Sequence, residues 1–195
     1  MKHKSRYDID KLPNKYTRVI ISFNNGARLY FNDLRKFGWI KVISNIKDQI
    51  LKLGPEPFSK EFTTEYLKKI FSKTAKAIKL VLIDQEKIAG IGNIYASEAL
   101  FEAQILPKKP AKKLRELEIE RLRDSIIFVL EKGIKYGGSS VADEAYRQVD
   151  GTKGQMQKHF MVYERKGKQC LRCKAVIKKI RLGGRGTYYC PVCQK

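Results

Sequence analysis

The sequence predicts an α+β chain in three parts: a short β-rich segment, a helical domain and a C-terminal β-hairpin. Three observations carry this. β-rich runs broken by an Asn-Asn-Gly turn signal occupy residues 15–43, and apolar residues recur at a helical period between Thr63 and about Gln148. All four cysteines fall within the last 26 residues, as two Cys-x2-Cys pairs. The parts are residues 1–52, 53–150 and 151–195.

In the first part, "KYTRVIISFNNGARLYFNDLRKFGWIKVI" predicts strands over about 17–23, 27–32 and 37–43, with Asn24-Asn25-Gly26 as the hairpin turn. Three strands leave an apolar face, carried by Val19, Ile21 and Phe23, with little to cover it, so this part reads as a piece of a larger sheet. "LGPEPF" at 53–58 is punctuated by Gly and Pro and marks a linker.

The helical part follows. Thr63 or Thr64 can cap a helix to Phe71, and Ser72 another through Ile83. Leu114, Leu117, Leu122, Ile126, Val129, Leu130 and Ile134 keep a helical period that Gly137-Gly138 ends. Ser139 or Ser140 can cap one more helix, to about Tyr146. In "KIAGIGNIYASEALF", two glycines permit close backbone approach, and Asn93 is placed to cap a helix whose amide end faces outward, an arrangement that suits a phosphate. The same pattern also serves as an ordinary turn between packed helices. "VDGTKGQ" at 149–155 reads as an exposed loop leading into the strand-like "HFMVYER".

Cys170-x2-Cys173 and Cys190-x2-Cys193, sixteen residues apart, place two thiolate pairs on two turns that a strand-turn-strand can bring around one tetrahedral Zn²⁺. A disulfide framework is the alternative, disfavoured in a reducing compartment. Four thiolates complete the shell, which leaves His3 and His159 as ordinary polar residues.

Forty-one Lys and Arg against 20 Asp and Glu give a formal net charge of +21, which creates an attractive field for a polyanion. A nucleic acid is the first candidate partner; a merely soluble basic protein and an anionic membrane surface are the others. Distribution favours the first. Residues 151–195 hold twelve Lys and Arg against the single acid Glu164, so +11 of the excess sits on them. No apolar run approaches the length of a bilayer crossing, and "MKHKSRYDID" lacks a signal segment, so a soluble, cytoplasmic protein is expected.

Taken in order, "DLRKFG", "LGPEPF", "GIGNIYASEALF", "YGGSS", "DGTKGQ", "VYERKG" and "GRGTYYCPVCQK" resemble the bacterial formamidopyrimidine-DNA glycosylase and endonuclease VIII family, on its formamidopyrimidine (8-oxoguanine) side. The resemblance runs from about residue 14 to 195. It implies a partial N-terminal β-sandwich, a helix-two-turns-helix domain and a four-cysteine zinc β-hairpin. It also implies a monomer that binds damaged or abasic double-stranded DNA with the lesion flipped out, in base-excision repair at the nucleoid. By resemblance Lys79, Asn93 and Arg185 grip phosphates flanking the lesion. Arg35 and Phe37 fill the void left by the extruded base, and Asp150, Gly151, Thr152, Lys153 and Gly154 form a lid over an oxidised purine. Leu34 and Lys36 stand where the family usually has proline and a second arginine, which implies a less rigid loop.

The family's chemistry uses the secondary amine of an N-terminal proline, a neighbouring glutamate and a hairpin lysine. None of these can be placed here. The chain starts Met1-Lys2, a bulky Lys2 is expected to retain the methionine, and Pro13 is an internal amide. The expectation is therefore a truncated member without catalytic residues of its own. A non-catalytic duplex-binding module, an amine reaction through Met1, and a zinc-ribbon RNA- or ribosome-associated protein stay open beside it.

Overall fold

Asn24-Asn25-Gly26 turns the chain as its residue types require. Gly26 takes φ +81°, its amide donates to Phe23 O at 3.0 Å, and the Asn25 side chain accepts from the Ala27 amide at 3.0 Å. The computed structural model describes residues 12–34, 36–45, 52–140 and 152–195. Around this turn β1 (Thr17–Ser22) pairs antiparallel with β2 (Arg28–Asn32), with an irregular register between Thr17 and Val19.

The strand expected over 37–43 does not form. The Asp33 carboxylate instead takes the amides of Lys36, at 2.9 Å, and Gly38, a turn that leaves Gly38 packed against the Phe31 ring of β2 rather than extended as a strand. Phe37, Trp39 and Val42 are then exposed, and so are Val19, Ile20 and Ile21 on β1. "LGPEPF" does not hang free: Gly54 donates to Gln85 O at 2.9 Å and Pro55 O accepts from Ala89 at 3.2 Å.

The helical domain starts as predicted. Thr63 caps α1 (Thr64–Ser72) through its hydroxyl, which accepts from the Tyr66 amide at 3.1 Å. The second helix is shorter than the residue pattern suggests. α2 is only Ile78–Leu82, because an antiparallel bridge between Ala77 and Pro110 takes the backbone before it: Ile78 donates to Lys109 O and Ala111 to Lys76 O.

α3 (Asn93–Glu102) runs through the centre of the domain, and six of its ten residues, Ala96 to Phe101, are buried. α4 (Glu116–Lys135) packs along it through Ile119, Leu122, Ile126 and Val129. Each large side chain buried here contributes about 1.5–3 kcal/mol on leaving water. Leu117 and Ile134 share the helical period but face outward. Gly137 and Gly138, at φ +64° and +77°, close α4, with Gly138 donating back to Gly133 O at 2.8 Å.

Of the helix expected after Ser139 or Ser140, residues 141–146 lie outside the described residues. "HFMVYER" is not a strand. A 3-10 turn at Met156–His159 is followed by residues whose amides are taken by a side chain of α3. β3 (Lys178–Leu182) and β4 (Arg185–Tyr189) then form the C-terminal hairpin around Gly183-Gly184, both at positive φ. No helix among the described residues is long and apolar enough to cross a membrane.

Candidate nucleic-acid interface and metal centre

The four cysteine sulfurs lie within 4.8 Å of one another, with Cys170–Cys193 at 3.9 Å and Cys173–Cys190 at 3.4 Å. Tetrahedral zinc with Zn–S bonds of about 2.3 Å needs sulfurs roughly 3.8 Å apart, so the set fits this ion. Backbone amides of Arg172 and Cys193 point at the sulfurs of Cys170 and Cys190, both at 3.4 Å, the knuckle arrangement that supports thiolates. One structural zinc belongs to this site.

The hairpin is fixed to the end of α3. Phe101, Val162, Cys170, Ile177 and Cys190 form a second apolar cluster. The Gln194 side chain accepts from the Cys190 amide at 2.8 Å and donates to Ile105 O at 2.9 Å. Arg172 lies over the Phe101 ring at 4.7 Å and pairs with Glu102 at 3.0 Å.

At the other end of α3 the three residues expected to grip phosphate come together. Lys79 Nζ donates to Gly186 O at 3.1 Å and to Thr187 Oγ1 at 2.7 Å, and Asn93 Nδ2 donates to the same Gly186 O at 3.1 Å. Arg185, exposed, is the neighbour of that glycine and the first residue of β4. The hairpin tip can lie this close because Gly183 has no side chain: a Cβ there would stand 2.6 Å from Leu80 Cδ2. Asn93 does not cap α3. Gly92 holds the N-cap position without a side-chain bond, and Asn93, the first helical residue, turns its amide to β4 instead. The helix end therefore carries no side-chain cap, beside one buried and one exposed cation.

Burial, and secondarily the Arg185 charge, push the Lys79 ammonium down to about 8. The unfolded chain keeps this proton to about 10.4. Between these values the unfolded state binds more protons, so stability rises with pH and the gain is lost as pH falls through 8. Lys79→Met is expected to flatten the rise of the urea midpoint between pH 8 and 10; an unchanged difference between the two pH values would count against the depressed ammonium.

The other predicted site residues are dispersed. Phe37 is 84% exposed, and Arg35 lies outside the described residues. Asp150 and Gly151 also lie outside them, whereas Thr152 and Lys153 are exposed. Gly154 is buried against Gly138, whose carbonyl oxygen a Cβ would meet at 2.2 Å. Thr187 and Tyr163 join the site although the motifs that contain them, "GRGTYYCPVCQK" and "VYERKG", give neither a role of its own. Tyr163 sits 3.5 Å from Asn93 Nδ2 and packs edge-on against Tyr188 at 5.1 Å, contacts between residues with no common spacing.

This architecture, a helical domain clasping a four-cysteine hairpin through a buried lysine and a helix-end asparagine, defines the class of two-module zinc proteins to which the chain is similar. Residues 53–145 match the formamidopyrimidine-DNA glycosylase H2TH domain, and residues 167–195 match the zinc finger found in FPG and IleRS. A formamidopyrimidine-DNA glycosylase of Prochlorococcus marinus (strain MIT 9312) is 43% identical over 190 residues, covering 94% of this chain and 64% of its own length. One from Brevibacillus brevis is 40% identical over 193 residues, covering 97% and 69%. The MutM (FPG) crystal structure from Thermus thermophilus superimposes with a TM-score of 0.84 at 38% identity, over 93% of this chain and 70% of that one. The Lactococcus lactis Fpg complex with abasic-site DNA gives 0.82 at 39%, over 96% and 69%. The chain thus spans about two thirds of the length of these relatives. It belongs to the formamidopyrimidine-DNA glycosylase family.

Proposed function

We propose that this chain binds damaged or abasic duplex DNA in base-excision repair, gripping the phosphates beside a lesion between the start of α3 and the zinc hairpin. The observation that carries this reading is the meeting of Lys79 and Asn93 on the Gly186 carbonyl, next to the exposed Arg185. An uncapped helix end and a guanidinium offer donors and positive charge to one anion. The +11 carried by residues 151–195 adds a long-range field around it. The solved L. lactis relative holds abasic-site DNA, which supports the same ligand here.

Arg35 and Phe37 are assigned to the gap beside an extruded nucleotide, and residues 150–154 to the cover over an oxidised purine. Phe37 is already exposed, as a stacking wedge must be. Excision of 8-oxoguanine or formamidopyrimidine is the reaction of this family reading. The role assigned to these 195 residues is zinc-dependent duplex binding.

Incubating the zinc-loaded chain with an abasic-site duplex and borohydride tests both levels. A gel shift without covalent adduct is expected. A trapped adduct would overturn the binding-only role, and absence of any shift at moderate salt would overturn DNA binding itself.

A further inference from the structure

Glu98, on α3, is 3% exposed and has no cation within ion-pairing distance among the described residues, yet it is well satisfied. Three consecutive backbone amides converge on its carboxylate: Met161 donates to Oε2 at 2.8 Å, and Val162 and Tyr163 donate to Oε1 at 3.0 and 2.8 Å. Successive N–H groups turned to one point make an anion-binding concavity, and here the anion is a side chain of the protein. Burial pushes the Glu98 carboxyl up and these three amides pull against it, with the more distant Lys132 adding a smaller downward pull.

The segment pinned in this way is the one that delivers the chain from the helical domain to the zinc hairpin. Tyr163 is its last pinned residue. Its ring stands edge-on to Phe160 at 5.6 Å and to Tyr188 of β4 at 5.1 Å, and its hydroxyl faces Asn93 Nδ2 at 3.5 Å. Tyr188 lies three residues from Arg185 on the same strand. One carboxylate therefore fixes a tyrosine that touches both walls of the proposed phosphate grip, without itself reaching the surface.

We infer that Glu98 is a positioning residue: by clamping the amides of 161–163 it sets Tyr163 as the spacer that holds β4, with Arg185, at a fixed separation from Asn93 at the start of α3. The inference rests on the phosphate-grip reading above for its effect on binding, but not for its effect on geometry. Removing the carboxylate leaves three N–H groups, that of Val162 buried and those of Met161 and Tyr163 partly so, seeking partners, so the 161–163 segment shifts and the tyrosine with it. Glutamine is the informative substitution. Its oxygen can still accept from Val162 and Tyr163, while its NH₂ faces the Met161 amide, donor against donor.

The test uses the full zinc-loaded chain and its Glu98→Gln and Glu98→Ala variants. With zinc stoichiometry unchanged at one per chain, Glu98→Gln is expected to weaken the nuclear Overhauser effects between the Tyr163 ring and both Tyr188 and the Asn93 side-chain amide. It is also expected to lower abasic-duplex affinity about tenfold and to reduce the log–log salt slope by about 1, as when one fewer phosphate is neutralised. Glu98→Ala should show a larger drop in each, with glutamine as the partial rescue. If alanine prevents folding, glutamine alone carries the test. Unchanged tyrosine proximities and salt slope in Glu98→Gln would overturn the inference, as would loss of zinc, which would make the role one of general folding. Should the parent fail to bind duplex, the proposed function falls while the tyrosine proximities still decide the role of Glu98.

Discussion

Replacing Cys190 with serine is expected to take the zinc content from one to zero and to unfold β3 and β4 while the helices survive. Cys190 is fully buried and shares its cluster with Phe101, Val162 and Ile177. Structural zinc in small fingers contributes roughly 10–16 kcal/mol of apparent binding energy, far beyond what a two-stranded hairpin holds by itself. The helical domain has its own core around Leu67, Phe71, Leu82, Leu100 and Leu122, so it does not need the metal. Metal analysis together with residue-resolved amide exchange checks the split. Hairpin amides should exchange freely while those of α3 and α4 stay protected, and a variant with one bound zinc and a protected hairpin would contradict the four-cysteine site.

Arg185→Ala should leave this fold intact, because the side chain is exposed and strand pairing uses only the backbone. Its expected effect is on duplex binding: about tenfold or more in affinity at moderate salt, since hydrogen bonds to charged groups are worth about 1.5–3 kcal/mol. The log–log salt slope should fall by about 0.9, the value for one neutralised phosphate. The weakening should be alike for all sequences, as a phosphate contact carries no base information. Parallel salt titrations of parent and variant decide the matter; equal slopes would remove Arg185 from the grip. With its neighbour's charge gone, the Lys79 ammonium should also move back up from about 8.

How much of the fold and site is legible in the residues alone depends on the range of the signal. The turn at Gly26, the cap at Thr63, the stop at Gly137-Gly138 and the cysteine knuckles are local rules, and each is found where the residues put it. Local rules fail where a distant or side-chain partner captures the backbone. Asp33 takes the amides of Lys36 and Gly38 at the start of the expected third strand, the Ala77–Pro110 bridge shortens the second helix, and Glu98 takes the amides of "MVY". Asn93 stands out in the sequence as a helix cap, yet its side chain serves Gly186, 93 residues away, rather than its own helix. Thr187 and Tyr163 become visible only once two segments far apart in the chain meet in space.

The exposed apolar ribbon of β1 and β2 gives the large positive charge a second consequence. Among the described residues no third strand pairs with β1 or β2, and such edges beside Val19, Ile20 and Ile21 invite like copies to stack, while +21 on every molecule keeps those copies at a distance. Added electrolyte shortens the reach of that mutual repulsion to about 8 Å at physiological strength. Salt that loosens the hold on a polyanion thereby also lowers the barrier to self-association, so dilute, weakly ionic solutions are where this polypeptide stays dispersed.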